Sequence, residues 1–293
     1  MTNDPLTPNG QDSESVIVVS RPKRPSNIWL IIVAALFIIV PFLTWYLTWF
    51  GRGLSDQELA TYLSDQNNPR HNQHALLQIE AKIETNDPGA KQFYPQIVAA
   101  SKSSVPEVRK TAAWVMGQDN KSAEFHAALA QLIKDEDPLV RRNAALQLVR
   151  FGDASGHDEL RAMLQPFAAR SPVAGTIVGL LPVNSSIRAG AMLARLRDSS
   201  NNLYEFRSPV DGKVAYPPLV KEGDQITTTQ TVARILPDRA TIIDALRALA
   251  YIGTKDDLTL IDDATRIDPS AEVTKQAAQT TKAIHTRNEG SGQ

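Results

Sequence analysis

The pattern of apolar and polar residues divides the chain into three kinds of segment. Residues 28–50 form one apolar run that contains no charged residue. Around residues 55–165 and 238–287, apolar residues recur at the i, i+3, i+4 and i+7 positions that form one face of a helix. Residues 168–237 instead contain short alternating runs punctuated by proline and glycine, which is typical of strands. We therefore predict a mixed α and β fold in which a small all-β domain interrupts a helical array.

The apolar run has the length of a transmembrane helix. As a helix, its 23 residues would span a hydrocarbon core of about 30 Å. Most of its aromatic residues lie toward the two ends, where rings meet the lipid headgroups. We expect five of them to anchor the helix: Trp29, Trp45, Tyr46, Trp49 and Phe50. A cleaved signal peptide is the alternative, but the run is longer than the apolar region of such peptides and no small-residue cleavage site follows it.

The charges that flank the run predict its orientation. Three basic residues lie just before it: Arg21, Lys23 and Arg24. Only Arg52 lies close after it, so the positive-inside rule predicts a cytoplasmic N-terminus. We expect a single-pass protein of a bacterial inner membrane, with residues 1–27 as a disordered cytoplasmic tail and residues 51–293 in the periplasm. The absence of cysteine agrees with an oxidising compartment and excludes disulfides, thiolate nucleophiles and iron–sulfur clusters.

An internal repeat runs through the helical segments. The stretches VPEVRKTAAWVMG (105–117) and DPLVRRNAALQLV (137–149) align without gaps, and Pro106 and Pro138 lie 32 residues apart. Proline is favoured in a first helical turn because its missing N–H would lack a partner there, and a preceding Asp can cap the helix. Weaker copies occur at residues 68–79, 240–253 and 268–284. The pattern predicts stacked helices whose alanines permit close packing.

The copy DPLVRRNAALQLVRFGD (137–153) resembles the HEAT repeat family. The resemblance extends over roughly 55–165 and 238–287, and a generic helical bundle is the alternative. It implies a curved α-solenoid that binds other macromolecules, usually proteins. On this basis we predict HEAT-like repeats over 51–167 and 238–287, followed by a disordered tail at 288–293.

The basic pairs and one tryptophan of the repeats are candidates for ligand contacts, but we interpret them as structural. The basic pairs Arg109-Lys110 and Arg141-Arg142 recur at the repeat spacing, and we expect them to bond within and between repeats rather than to contact a ligand. Trp114 lies on an otherwise alanine-rich helix, and we expect it in the core.

The predicted β-domain contains a duplication. Residues 171–196 and 208–236 both open with Ser-Pro-Val-x-Gly, continue through a strand and a turn, and end in a strand that closes with Ala-Arg-Leu or Ala-Arg-Ile. The period is about 37 residues. The glycines suit turns or close approaches that a side chain would block.

The two halves together resemble the biotinyl/lipoyl-like barrel-sandwich family over residues 168–237. The residues that carry the likeness are Pro172, Val173 and Gly175 in the first half and Pro209–Gly212 and Lys221–Asp224 in the second. Carriers in this family hold the cofactor on a lysine in a hairpin between the halves, a position that falls near Asn201 here. No lysine occurs between Leu196 and Phe206, so we expect no cofactor, and we interpret Lys213 and Lys221 as solvated surface charges.

The same family includes the periplasmic adaptors of efflux and secretion systems, which are membrane-anchored with an inward N-terminus. Their half-motifs are separated by a long helical hairpin. Only residues 197–207 separate the halves here, so the part that reaches an outer-membrane channel is absent.

No set of residues in the sequence predicts catalysis or metal binding. His71 and His74 are close in sequence but lack further well-spaced ligands, and we interpret them, with His126, His157 and His285, as surface residues. The acidic groups at 135–138 and 255–257 are expected to be caps and turns, and no phosphate loop, nucleophile elbow or zincin motif occurs. The net charge of −1 argues against a nucleic-acid surface.

These observations favour a non-catalytic scaffold over two other classes of function. The scaffold would assemble or stabilise a respiratory, photosynthetic or transport complex, with other subunits and the lipid bilayer as partners and no small-molecule substrate. The alternative is an adaptor-like component of an export or efflux system, which predicts a ring formed through the β-domain. An enzyme, such as a carrier subunit or a peptidase, ranks lowest.

Overall fold

A computed structural model describes residues 28–49, 53–65 and 67–290. The chain divides into two compact units, residues 1–53 and residues 54–293.

In the first unit, the structure describes one helix. α1, Ile28–Trp49, runs through Pro41 without a break. Its apolar side chains up to Leu43 are largely exposed, with Trp29 73% exposed. Among the residues described, no helix combines the length and the apolar character needed to cross a membrane. The predicted span at 28–50 is therefore not confirmed.

Several sequence predictions for this unit lie outside the described residues. They are the tail at 1–27, Phe50, and the side chains of Trp45, Tyr46 and Trp49.

The second unit contains a helical array and a β-domain. The helices are α2 Asp56–Ser64, α3 Pro69–Glu84, α4 Tyr94–Ala100, α5 Pro106–Met116, α6 Ala123–Leu132, α7 Pro138–Arg150, α8 His157–Met163, α9 Arg239–Ile252, α10 Leu258–Ile267 and α11 Ala271–Gly290. Short 3-10 helices, Pro88–Phe93 and Lys255–Asp257, precede α4 and α10. Helices α3, α5, α7, α9 and α11 stack in that order, and each packs against the helix before it in the chain. The predicted helical repeat is confirmed.

Local sequence explains where these helices begin. Pro69, Pro106 and Pro138 each occupy the first turn of their helix. At α7, Asp137 Oδ1 accepts hydrogen bonds from the backbone N–H groups of Leu139 at 2.8 Å and Val140 at 3.2 Å, as predicted for a cap. At the other end of the chain, α11 continues to Gly290, so the prediction that a disordered tail starts at 288 is wrong.

One alanine in each stacked helix occupies the same place in the repeat. These repeat alanines are almost fully buried: Ala75, Ala112, Ala144, Ala245 and Ala277. A methyl group at this position lets neighbouring helices approach closely, which a larger side chain would prevent.

The helical array continues across the inserted β-domain. Ala145 of α7 and Leu160 of α8 share one apolar core with Ile242 and Leu246 of α9. A preceding core joins α2 to α7, from Leu59 to Leu148. The array is therefore one continuous solenoid, and the β-domain lies between α8 and α9 in the chain.

The β-domain consists of two four-stranded antiparallel sheets around a shared core. Its strands are β1 Phe167–Arg170, β2 Gly175–Leu180, β3 Ser186–Ile187, β4 Met192–Arg197, β5 Leu203–Arg207, β6 Gly212–Val214, β7 Gln225–Ile226 and β8 Thr231–Leu236. The sheet orders are β1-β8-β6-β3 and β5-β4-β2-β7. Residues from both sheets, such as Ile177, Leu193, Val214 and Ile235, fill one interior.

The predicted duplication agrees with this topology. The orders of the two sheets correspond if β1 matches β5, β2 matches β6, β3 matches β7 and β4 matches β8. Each sheet therefore takes strands from both halves. The opening serines correspond in detail: the Oγ of Ser171 donates to the carbonyl of Val173 at 2.7 Å, and that of Ser208 donates to Val210 at 2.6 Å.

Two equivalent glycines allow the backbones of neighbouring strands to approach closely. A Cβ at Gly175 would lie 2.6 Å from the carbonyl oxygen of Arg197, and one at Gly212 would lie 2.1 Å from that of Leu236. Gly212 also has a φ of 153°. Any side chain would push the neighbouring strand away at both places.

Candidate functional site

Apolar side chains at one repeat position, two of them exposed and one half-buried against the core, lie on three stacked helices of the solenoid. Two residues after the repeat alanine, α3 carries Leu77, α5 carries Trp114 and α7 carries Leu146. Leu77 is 52% exposed and Trp114 43% exposed, and Leu146 is half-buried. We call these three residues the apolar ridge. The equivalent residues on α9 and α11 are the polar Arg247 and Gln279, so the ridge is confined to α3, α5 and α7.

Hydrogen bonds tie the three helices together along the ridge. The indole Nε1 of Trp114 donates to the carboxylate of Glu80 on α3. On the other side, Arg150 of α7 donates from Nη1 to Gln118 Oε1 at 3.1 Å, next to the end of α5. The buried apolar core beneath fixes the spacing of these helices, and the two exposed polar links add to it.

The expectation that Trp114 lies in the core is wrong. The neighbouring Ala112, Ala113, Val115 and Met116 take the inward positions of α5 and are fully buried. Trp114 falls between them on the outward face. The sequence does carry a signal for this, because the equivalent positions on α9 and α11 hold the polar residues Arg247 and Gln279.

Basic residues of the repeat bond between repeats, as predicted. Arg109 binds the carboxylate of Asp135 through Nε at 2.7 Å and Nη2 at 2.8 Å, and its Nη1 donates to the carbonyl of Ser103 at 2.9 Å. Arg141 likewise donates to Glu159 at 2.9 Å and to the carbonyl of Asp135 at 2.8 Å. These bonds join successive loops and stiffen the solenoid.

The contact between Arg109 and Asp135 also shifts the pKa of both side chains. Burial opposes ionisation of Asp135, but the hydrogen bonds from Arg109 and from the backbone of Asp137 outweigh it, so the pKa of Asp135 lies below its usual value. The same contact raises the pKa of Arg109.

Arg142 lies where the solenoid meets the β-domain. It is buried, and its guanidinium carbon lies 5.9 Å from the centre of the Phe167 ring on β1. Its Nε is 3.7 Å from Glu159 Oε1. Burial lowers the pKa of Arg142. Leu139, also on α7, packs on the β-domain core, so α7 fixes the β-domain to the solenoid.

A buried carboxylate joins the two parts of the solenoid that the β-domain separates in sequence. Asp257 is fully buried; its Oδ2 lies 2.8 Å from His157 Nε2, and its Oδ1 accepts from Arg161 at 2.7 Å. It also accepts from the backbone N–H of Thr254 at 2.7 Å. His157 was interpreted as a surface residue and Asp257 as part of a turn, and sequence reasoning missed their contact across 100 positions.

His71, His74 and His126 have structural contacts, and His285 is exposed on α11. His71 stacks on Tyr62 with ring centres 4.1 Å apart, and His74 meets the edge of the same ring. His126 lies 2.7 Å from Asp153. Within the described part of the chain, no three metal-ligating side chains come together.

The position near Asn201 lies in the turn between β4 and β5. Asp198 accepts hydrogen bonds from the backbone of Ser200 at 2.9 Å and Asn202 at 2.8 Å, and Asn201 has a φ of 66°. Arg197 donates to the side chain of Asn201 at 2.9 Å. The turn offers no amine for attachment of a cofactor.

Comparison with known proteins identifies the helical repeat. None of the curated proteins matches the chain. The sequence model for HEAT repeats matches residues 94–170, which span α4 to α8 and β1. The chain therefore contains a HEAT-like helical repeat region, and the apolar ridge lies partly on it.

Proposed function

We propose that the protein is a membrane-anchored, non-catalytic scaffold that assembles or stabilises a larger membrane protein complex. Its partners are other subunits of a respiratory, photosynthetic or transport complex. The apolar ridge on the solenoid is the observation that carries this proposal.

The ridge has the chemistry of a protein-binding surface. Burial of exposed apolar side chains against a partner makes the free energy of binding more favourable, and tryptophan often dominates such interfaces. Trp114 lies between Leu77 and Leu146 along the row, with its ring oriented by the bond to Glu80. Since the helices are already fixed, binding requires little further ordering of the scaffold.

The membrane anchor is supported by α1. It is a helix of 22 residues without a charged side chain. Its exposed apolar side chains suit a lipid environment, with Trp29 at one end. The basic residues before it favour a cytoplasmic N-terminus, with residues 54–293 in the periplasm of a bacterium.

We assign the β-domain to the lipoyl-like barrel-sandwich type. The exchange of strands between its halves supports this assignment. With no lysine in the β4–β5 turn, the domain would act as a docking module without a cofactor. The adaptor alternative is weaker, because the turn at 198–202 joins β4 directly to β5 where adaptors have a helical hairpin.

The test is to isolate the full chain from its own membranes in mild detergent. We expect it to migrate with other subunits on native gels. Changing Leu77→Glu together with Trp114→Glu should reduce the recovered subunits more than tenfold, because charges then face the partner's apolar surface. Tyr251→Glu is the matched control, since Tyr251 is 75% exposed but lies on α9, outside the ridge.

Three outcomes would contradict the scaffold. They are a wild-type chain that migrates alone, a ring composed only of copies of itself, and a ridge variant that keeps all of its companions. A self-assembled ring with a transporter would support the adaptor.

A further inference from the structure

The β-domain has an apolar cleft on its surface. It has a volume of about 320 Å³, near the lower end for small-molecule sites. Two equivalent segments line it: Leu180–Val183 begins with the last residue of β2, and Pro217–Val220 follows β6, 37 residues later. The cleft is thus built by both halves of the duplication.

Part of the apolar lining of the cleft is exposed to solvent. Val214, Val220 and Val232 form buried parts of its lining, whereas Leu219 remains 40% exposed. Burying such surface under an aliphatic chain would gain free energy roughly in proportion to the area covered, about 25 cal/mol per Å².

A charge at the cleft distinguishes the two halves. Arg234 on β8 lines the cleft, and its equivalent in the first half is Arg195 on β4. Arg195 faces Glu205 across the β4–β5 pair, with their charged groups 3.5 Å apart. Arg234 faces Ala168 across the equivalent β1–β8 pair. Arg195 therefore has a carboxylate opposite it, whereas Arg234 has none.

The cleft carries a net positive charge as a result. Arg234 is exposed and forms no ion pair among the described residues, and the same holds for Lys221, which also lines the cleft. Glu222 is the acidic residue of the lining, and it is exposed as well. An external carboxylate would replace the partner that Arg234 lacks, through hydrogen bonds to its planar guanidinium.

We propose that this cleft binds an aliphatic monocarboxylate, with the chain along the apolar lining and the carboxylate on Arg234. The small volume favours a short or medium chain. This site is independent of the apolar ridge, which lies on the solenoid.

The experiment uses the full chain in phosphatidylcholine nanodiscs, which accommodate α1. A photoreactive octanoate that carries a diazirine on its chain is crosslinked, and the labelled peptides are identified by mass spectrometry with unlabelled octanoate as competitor. We expect competable label within residues 214–222. Arg234→Glu should reduce this label at least tenfold, and Arg234→Lys should retain more of it. Arg195→Glu, the matched control, should leave it unchanged.

A second variant keeps the test independent of charge. Leu219→Asn should abolish the label, because it places an uncharged polar group in the apolar lining. The proposal is overturned if octanol competes as well as octanoate, since the carboxylate then contributes nothing. It is also overturned if Arg195→Glu lowers the label as much as Arg234→Glu, or if the wild-type cleft is not labelled, which would leave a segment of a partner protein as the occupant.

Discussion

At the scale of single residues, buried charges hold the solenoid together. Asp257 and the Arg109–Asp135 pair are both shielded from water, and each oxygen of the two carboxylates accepts a hydrogen bond. In such a setting the loss of one partner costs more than the pair contributes, because the other charge is left without compensation.

We expect Asp257→Ala to lower the free energy of unfolding by about 3 kcal/mol, the lower end for a broken buried pair. His157 and Arg161, which are 23% and 31% exposed, regain some hydration, which limits the loss. Urea unfolding followed by circular dichroism measures it. Asp256→Ala is the control, because Asp256 is exposed and should change stability by less than about 0.5 kcal/mol. Equal effects of the two changes would show that Asp257 does not stabilise the solenoid.

Asp135 should make stability depend on pH in acid. Its pKa in the folded state is lowered, while the unfolded value is about 3.9. A lowered folded pKa means that the contribution is complete above the unfolded value and is lost as the pH falls through the folded one. Urea midpoints between pH 5 and pH 2 should therefore fall less steeply for Asp135→Asn than for the wild type. Glu136→Gln, at an exposed neighbour, should keep the wild-type slope, and a wild-type slope in Asp135→Asn would refute the assignment.

At the scale of elements, the solenoid does not need the β-domain to stay continuous. α8 packs directly on α9, and the strands that enter and leave the β-domain pair with each other, Phe167 opposite Ile235. Paired antiparallel residues lie about 5 Å apart, so a short linker can replace the whole insertion.

Replacing residues 167–236 with a three-residue Gly-Ser-Gly linker should leave the solenoid folded. We expect helical circular dichroism per helical residue to match the parent and unfolding to remain a single transition. A second change, Leu139→Ser, would remove the apolar side chain that packs on the β-domain core and is exposed once the β-domain is deleted. Loss of cooperative unfolding in both deletion chains would mean that the β-domain supports the α8–α9 contact.

At the scale of the whole molecule, α1 and the remainder belong to separate compact units. The proposal that α1 anchors the chain predicts their behaviour when they are separated. Residues 54–293 alone should stay in the supernatant after ultracentrifugation and keep the helical spectrum of the solenoid and β-domain. The full chain should sediment with membranes and resist alkaline carbonate, because its apolar helix would be buried in lipid. Release of the full chain by carbonate would contradict anchoring.

The helical and strand segments could be predicted because their signals are local. Prolines at helix starts, the Asp137 cap and the repeat alanines act through immediate neighbours, and the period of the apolar residues distinguishes helix from strand. The helix at α11 extended beyond its predicted end because no glycine or proline precedes Gly290 within it to stop it. Residues of the ridge were harder to identify. A large apolar side chain such as Trp114 ordinarily indicates the core, and its identity alone does not show that it faces outward.

The order of the segments, the HEAT-like repeat and the duplication within the β-domain follow from the amino-acid sequence alone. Four features emerge only in the folded chain: α9 packs on α8 across the insertion, Asp257 meets His157, each sheet exchanges strands between halves, and Arg234 lacks the acid that faces Arg195. The reason is that local propensities act over a few residues, whereas these contacts join positions far apart in the chain. Their formation depends on how whole surfaces pack.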